Sequence, residues 1–224
     1  MTVVLCGSLG STARMWDRQR AVLVDTVSVE YPGHGAAPVT DVDGIAGLAE
    51  RVLEAAPGRF SLVGLSLGGA VGVHLAAEHP DRVERLVLAC TSVRFGEPDQ
   101  WRERAATVRR DGLAAIVDAV MGRWFTPEFA DIEPYREMFL SVDAEGYARC
   151  CEALAGWDGA ASLERIGAPT LVIAGALDPT SPPEHVREIA GRVPGARLAV
   201  IEGAAHLANV ERAEEFNALL EGHL

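Results

Sequence analysis

Short apolar runs alternate with amphipathic stretches along most of the chain. Val3 to Cys6, Thr26 to Tyr31, Phe60 to Val63, Arg85 to Ala89, Thr170 to Ala174 and Leu198 to Ile201 each read as a strand. Between them apolar residues recur at helical spacing. Met15 to Val24 predicts one helix. Ile45, Leu48, Val52 and Leu53 mark a second across Val42 to Ala56, and Leu67 to Glu78 reads as a third, stopped by His79-Pro80. The later strands are each followed by a helix as well. This alternation predicts an α/β architecture, a mostly parallel sheet with helices on both faces.

From about Phe95 to Gly159 the strands stop. Trp101–Arg110, Leu113–Trp124 and Ala144–Ala155 are helical in character, and the strand pattern resumes at Pro169-Thr170-Leu171. Two arrangements fit: extra helices packed on the domain, or a lid inserted after a strand over the carboxyl edge of the sheet. The clean resumption favours the lid. The expected organisation is one core domain, residues 1–94 and 160–224, interrupted by a helical lid at 95–159.

Gly64-Leu65-Ser66-Leu67-Gly68 lies between a buried strand and a helix. A strand-to-helix turn this tight strains its central residue and pushes the hydroxyl out at the sheet's carboxyl edge, beside a helix N-terminus. The small residues two before and two after Ser66 leave room for crossing backbones. Ser66 is therefore the expected nucleophile. The backbone N–H of Leu67 is one expected oxyanion donor, and that of Leu9, in the turn after the first strand, is the other.

Serine needs a base. Of six histidines, His206 stands in a small-residue loop, Glu202-Gly203-Ala204-Ala205-His206, after the last strand, so it opens at the same edge as Ser66. His34, in a Pro-Gly-His-Gly turn, reads as structural. Enzymes with this elbow carry their triad in the order Ser, Asp/Glu, His. Asp178 follows Leu171-Val172-Ile173-Ala174-Gly175 and suits the acid that orients His206, with Asp158 as the fallback.

Composition narrows the partners. The chain has 224 residues, 49% hydrophobic and 23% charged, with a formal net charge of −12. Such a charge repels nucleic acid and anionic membranes, and an anionic substrate would need a local arginine. No run approaches the length of a membrane span, and MTVVLCGSLG does not read as a signal peptide. Cys6, Cys90, Cys150 and Cys151 have neither zinc-site nor disulfide-framework spacing, so a cytoplasmic location is expected.

With these residues in place the chain resembles the 3-oxoadipate enol-lactone hydrolases of bacterial aromatic catabolism, within the α/β-hydrolase superfamily. The resemblance runs through Ser8-Leu9-Gly10-Ser11, Met15-Trp16-Asp17, Pro32-Gly33-His34-Gly35 and the elbow to Gly69. It continues in Arg123-Trp124-Phe125-Thr126-Pro127, Gly146 to Cys151, Pro169 to Pro179 and Ala204 to Glu211. It implies an α/β-hydrolase fold and a small ester or lactone substrate, a five-membered enol-lactone bearing an acetate side chain. No metal or organic cofactor is implied. For the substrate carboxylate the candidate cation is Arg123, with Arg94 second, and Trp124 is a candidate pocket wall. Two departures stand out. The chain opens at the fold's third strand, so the leading antiparallel strands are missing from the pattern, and Pro32-Gly33 replaces the family's arginine before Gly-His-Gly. The rival readings are a broad carboxylesterase, a carbon–carbon bond hydrolase and a non-catalytic ligand-binding protein on the same frame. Oligomeric state is left open.

Overall fold

The computed structural model describes residues 2–224. Its strands form where apolar residues run consecutively: β1 (Val3–Cys6), β2 (Thr26–Val29), β3 (Phe60–Leu65), β4 (Val83–Ala89), β5 (Thr170–Gly175) and β6 (Arg197–Ile201). Every position of β1, β3 and β5 is buried. Strands apolar on both faces need cover on both, which a parallel sheet with flanking helices supplies. The six strands are parallel throughout, in the order β2-β1-β3-β4-β5-β6.

That order positions the site. β1 connects outward to β2 at one edge, and the chain then returns past β1 to lay β3 on its other side. The connections leaving β1 and β3 therefore diverge, which opens a crevice at their carboxyl ends. The register aligns those ends, pairing Cys6 with Gly64, Leu65 with Ala89 and Gly175 with Ile201.

The core half carries α1 (Asp17–Arg20), α2 (Gly44–Ala55) and α3 (Leu67–Glu78). Ten of the twelve α3 residues are buried, so it is apolar all round, as a core helix must be. It lies close on the sheet: a Cβ on Gly72 would stand 2.9 Å from Leu62 and 3.2 Å from Leu86. Leucines enclosed in this way cost about 2–5 kcal/mol when cut to alanine.

Between β4 and β5 the described residues contain no strand. They hold α4 (Pro98–Asp111), α5 (Val117–Trp124), α6 (Glu133–Leu140) and α7 (Ala144–Ala155). α4 is mostly polar and buries only Ala105 and Val108, and it packs along α7. Charged groups reinforce the contact. Arg109 donates to Glu145 at 2.7 Å and also to Glu152, while Arg149 bridges Glu145 at 2.8 Å and Asp41. Exposed pairs contribute about 0–1 kcal/mol each, so the network matters more than any member. At the start of α7, Asp143 accepts from the N–H groups of Glu145 and Gly146. A Cβ on Gly146 would lie 2.3 Å from the Pro32 carbonyl, which sets α7 directly on the Pro32-Gly33-His34 turn. The chain ends in α8 (Pro183–Arg192), α9 (Ala208–Glu211) and α10 (Ala213–Glu221). No helix among the described residues is long and apolar enough to cross a membrane.

Three expectations need correction. The helix predicted over Met15 to Val24 is a 3-10 turn at Ala13–Trp16 followed by the single turn of α1. The N–H groups of Val22 and Leu23 both turn back to the Gln19 carbonyl, and Val24 is left 84% exposed, so its apolar character misleads. β2 stops at Val29, opposite Cys6 where β1 itself ends, and Glu30 beyond it turns its carboxylate to the N–H groups of Ala13 (3.0 Å) and Ala36 (2.8 Å). The helical stretch over Leu113 to Trp124 is broken at Ile116 into a 3-10 turn and α5. α6 is an addition. Its Pro134 looks like a breaker, yet it lies in the first turn, where a missing N–H costs nothing.

Candidate active site

Ser66 joins β3 to α3 with φ 58° and ψ −114°, a conformation that costs a non-glycine residue of order 1–3 kcal/mol. The surroundings hold it there. Its N–H donates to Ala89 O at 2.9 Å, and its carbonyl accepts from Gly69 N, Ala70 N and the Thr91 hydroxyl. The flanking glycines are required by contact: a Cβ on Gly64 would stand 2.2 Å from Gly68 O, and one on Gly68 would stand 2.0 Å from Cys6 O.

The loop after β1 lies beside this turn. The N–H groups of Leu9 and Leu67 make no hydrogen bond among the described residues, and both leucines are buried. The next N–H, that of Gly10, donates to His34 Nε2 at 3.1 Å, so Nδ1 carries the ring proton and donates to the Pro32 carbonyl at 3.0 Å. Burial lowers the His34 imidazole from 6.5 to about 4, which keeps it neutral and able to accept. His34 is structural, as expected. It anchors the Leu9 loop, whose Gly10 (φ 84°) is roofed by the ring of Phe139.

Asp178 and His206 come from neighbouring loops. Leu177 N–H donates to Ala204 O at 2.9 Å, and a Cβ on Gly175 would stand 2.2 Å from Ala205 O, so the loops after β5 and β6 run in contact. Asp178 is 3% exposed and is not a solvated turn residue. Its Oδ1 accepts from Thr180 N (2.8 Å) and Ser181 N (3.1 Å), and its Oδ2 accepts from His206 Nδ1 at 2.8 Å. With Nδ1 as donor, Nε2 is the lone-pair nitrogen. The Cys90 thiol, in the tight turn after β4, also faces this carboxylate; burial and the Asp178 charge push it well up.

Ser66, His206, Ser8 and Leu9 line one side of a cavity of about 210 Å³. That is smaller than the roughly 300–1,000 Å³ of drug-sized ligand sites and suits a small molecule. The opposite side comes from α4, α5 and α7. Trp124 and Tyr147 line it and stack edge-on against Phe139 between them, with ring centroids 5.8 and 5.5 Å apart. Arg123 and Arg104 are also in the lining. Their neighbours Arg94, Arg102 and Arg109 all have acid partners. Arg123 and Arg104 have none among the described residues: partial burial and the Arg104 charge lower Arg123, while Arg104 lies over the Trp101 ring at 4.9 Å.

The expected site residues thus divide. Ser66, Leu9, His206, Arg123 and Trp124 meet at the cavity, and Asp178 stands behind His206. Arg94 does not belong with them. It is exposed and its guanidinium is committed to Asp158, which also removes the fallback acid from the site. Arg104 escaped sequence reading because it sits in the charged run Arg102-Glu103-Arg104, and only the rotation of α4 over the sheet decides which member faces inward.

A parallel sheet, a strained serine between strand and helix, and a buried aspartate–histidine pair at the same rim define an α/β hydrolase. The chain belongs to that family: the model of the alpha/beta hydrolase family matches residues 3–219. It is a carboxylic ester hydrolase. It is 37% identical to 3-oxoadipate enol-lactonase 2 of Acinetobacter baylyi over 238 residues, 98% of this chain and 86% of that protein. Among solved structures it matches the enol-lactonase of Burkholderia xenovorans LB400 with a TM-score of 0.93 and 35% identity, covering 99% of this chain and 90% of that one. It matches a malate-bound thermophilic esterase of Thermogutta terrifontis with a TM-score of 0.93 and 28% identity, covering 99% and 88%.

Proposed function

We propose that the chain hydrolyses 3-oxoadipate enol-lactone to 3-oxoadipate, using Ser66, His206 and Asp178 as its triad and residues 95–159 as a lid. The observation that carries this reading is one small cavity lined by Ser66, His206 and two arginines without acid partners. Similarity to two enol-lactonases supports the substrate class.

Ser66 Oγ attacks the ring carbonyl as His206 Nε2 takes its proton, and Asp178 stabilises the imidazolium. The oxyanion meets the N–H groups of Leu9 and Leu67, each worth about 3 kcal/mol. As the intermediate collapses, the ring C–O bond breaks and the enol oxygen takes the proton from His206. The enol relaxes to a ketone while the acyl group stays on Ser66. Water, deprotonated by His206, then attacks the acyl carbon and releases the acid, and Ser66 recovers its proton. Arg123 and Arg104 hold the acetate carboxylate. Solvated by the mouth of the cavity, they also offset the repulsion of an anion by a chain of net charge −12.

The test compares kcat/KM for the enol-lactone with neutral lactones, in the wild type and in Arg123→Ala. The charged substrate should lose about 1–3 kcal/mol of transition-state stabilisation and the neutral ones little. Fast turnover of p-nitrophenyl esters with none of the enol-lactone would support a broad carboxylesterase instead, a reading that the esterase-like neighbour favours.

A further inference from the structure

We infer that Glu211 is a positioning residue that binds the histidine loop to the substrate-facing wall of the cavity; this rests on the triad reading of Ser66, His206 and Asp178. Glu211 closes α9 and is 8% exposed. Its Oε2 accepts from Ala205 N at 2.7 Å. Its Oε1 accepts from Thr126 N at 2.9 Å and from the Thr126 hydroxyl. A second bridge runs beside it, from Leu207 N to the Trp124 carbonyl at 3.0 Å. The residues before and after His206 are therefore both tied to the segment Trp124–Thr126, one directly and one through this carboxylate.

Asp178 orients the imidazole about its own bonds. The two bridges instead set where the loop that carries it stands relative to Trp124 and Arg123, which line the cavity. Only a carboxylate can serve here. Three donors converge from two segments, and a glutamine offers a single acceptor oxygen, so its amide would face one of the buried N–H groups donor to donor. Misplacing a reacting group by an ångström is costly for a reaction that depends on alignment.

The test uses Glu211→Gln, Thr126→Val and Ser66→Ala, assayed with the enol-lactone and p-nitrophenyl acetate. Competent sites are counted by complete reaction with a fluorophosphonate. Glu211→Gln should lower kcat per titrated site on both substrates by up to about 100-fold. KM should change by less than about threefold, and the acid limb of the pH profile should move as the imidazole loses its fixed setting. Thr126→Val keeps the backbone N–H and should give a smaller loss in the same direction. A Glu211 that only supports the fold would reduce the number of titrated sites and leave kcat per site and the pH profile at wild-type values, which would overturn the inference. If Glu211→Gln does not fold, Thr126→Val decides by the same criterion. Turnover persisting in Ser66→Ala would sink the triad reading itself. Turnover lost in Ser66→Ala, with the other two variants behaving as wild type, would remove only the role of Glu211.

Discussion

The two sides of the cavity are built differently. On the sheet side the polar groups are held on several atoms at once: the Ser66 backbone by Ala89, Gly69, Ala70 and Thr91, and Asp178 by Thr180, Ser181 and His206. On the helical side the rings of Trp124, Phe139 and Tyr147 are packed, but the guanidinium groups of Arg104 and Arg123 have no acid to hold them. Geometry that must be accurate sits on crowded, satisfied backbone. Two guanidinium charges at the cavity are left unneutralised. Changes on the sheet side should therefore affect all substrates alike, and loss of either arginine on the helical side should affect only acidic ones.

The largest effect should come from Asp178→Asn. The amide can present its N–H₂ to His206 and favour the wrong tautomer, so kcat should fall about 10⁴-fold on neutral and acidic substrates equally, by steady-state kinetics. A loss confined to acidic substrates would dissolve the contrast between the sides.

The next effect is on stability. His34 titrates near 4 when folded and near 6.5 when unfolded. Below 6.5 the unfolded chain binds the proton first, so the free energy of unfolding falls as the pH drops from about 6.5 to about 4, where the folded ring also protonates and the loss levels off. The depressed value corresponds to about 3 kcal/mol across that window. Urea titrations from pH 4 to 7 should show a shallower pH dependence in His34→Gln than in the wild type, since glutamine does not titrate.

Much of the sheet side is legible in the sequence because its constraints are local. β1 and α3 have the bounds the apolar pattern predicts, and the small residues around Ser66 and His206 announce crossing backbones. The helical side is legible only in outline. Pro134 hides α6, whose Phe139 roofs the Leu9 loop. Which α4 arginine faces the cavity depends on how α4 packs on α7 and not on any spacing, so the sequence points to Arg94 as the second cation and passes over Arg104. Glu211 is similar: its partners lie 85 residues away at Thr126 and 6 away at Ala205, on two segments that only the fold brings together.

Two smaller effects sharpen the comparison. Arg104→Ala should raise the barrier for the enol-lactone by about 1–2 kcal/mol and leave p-nitrophenyl acetate close to wild type. Arg94→Ala should leave both substrates within about twofold, because its partner is the exposed Asp158 and such pairs contribute little. A larger loss in Arg94→Ala than in Arg104→Ala would reassign the carboxylate site.

Nucleophilic attack by Ser66 is tested most directly by where the acyl group goes. Acid-quenched samples taken during turnover of p-nitrophenyl acetate, mapped by peptide mass spectrometry, should carry one acetyl group on the peptide containing Ser66. The same samples of Ser66→Ala should carry none and should release no p-nitrophenol above background. Acetyl groups on another residue, or turnover undiminished in Ser66→Ala, would contradict it.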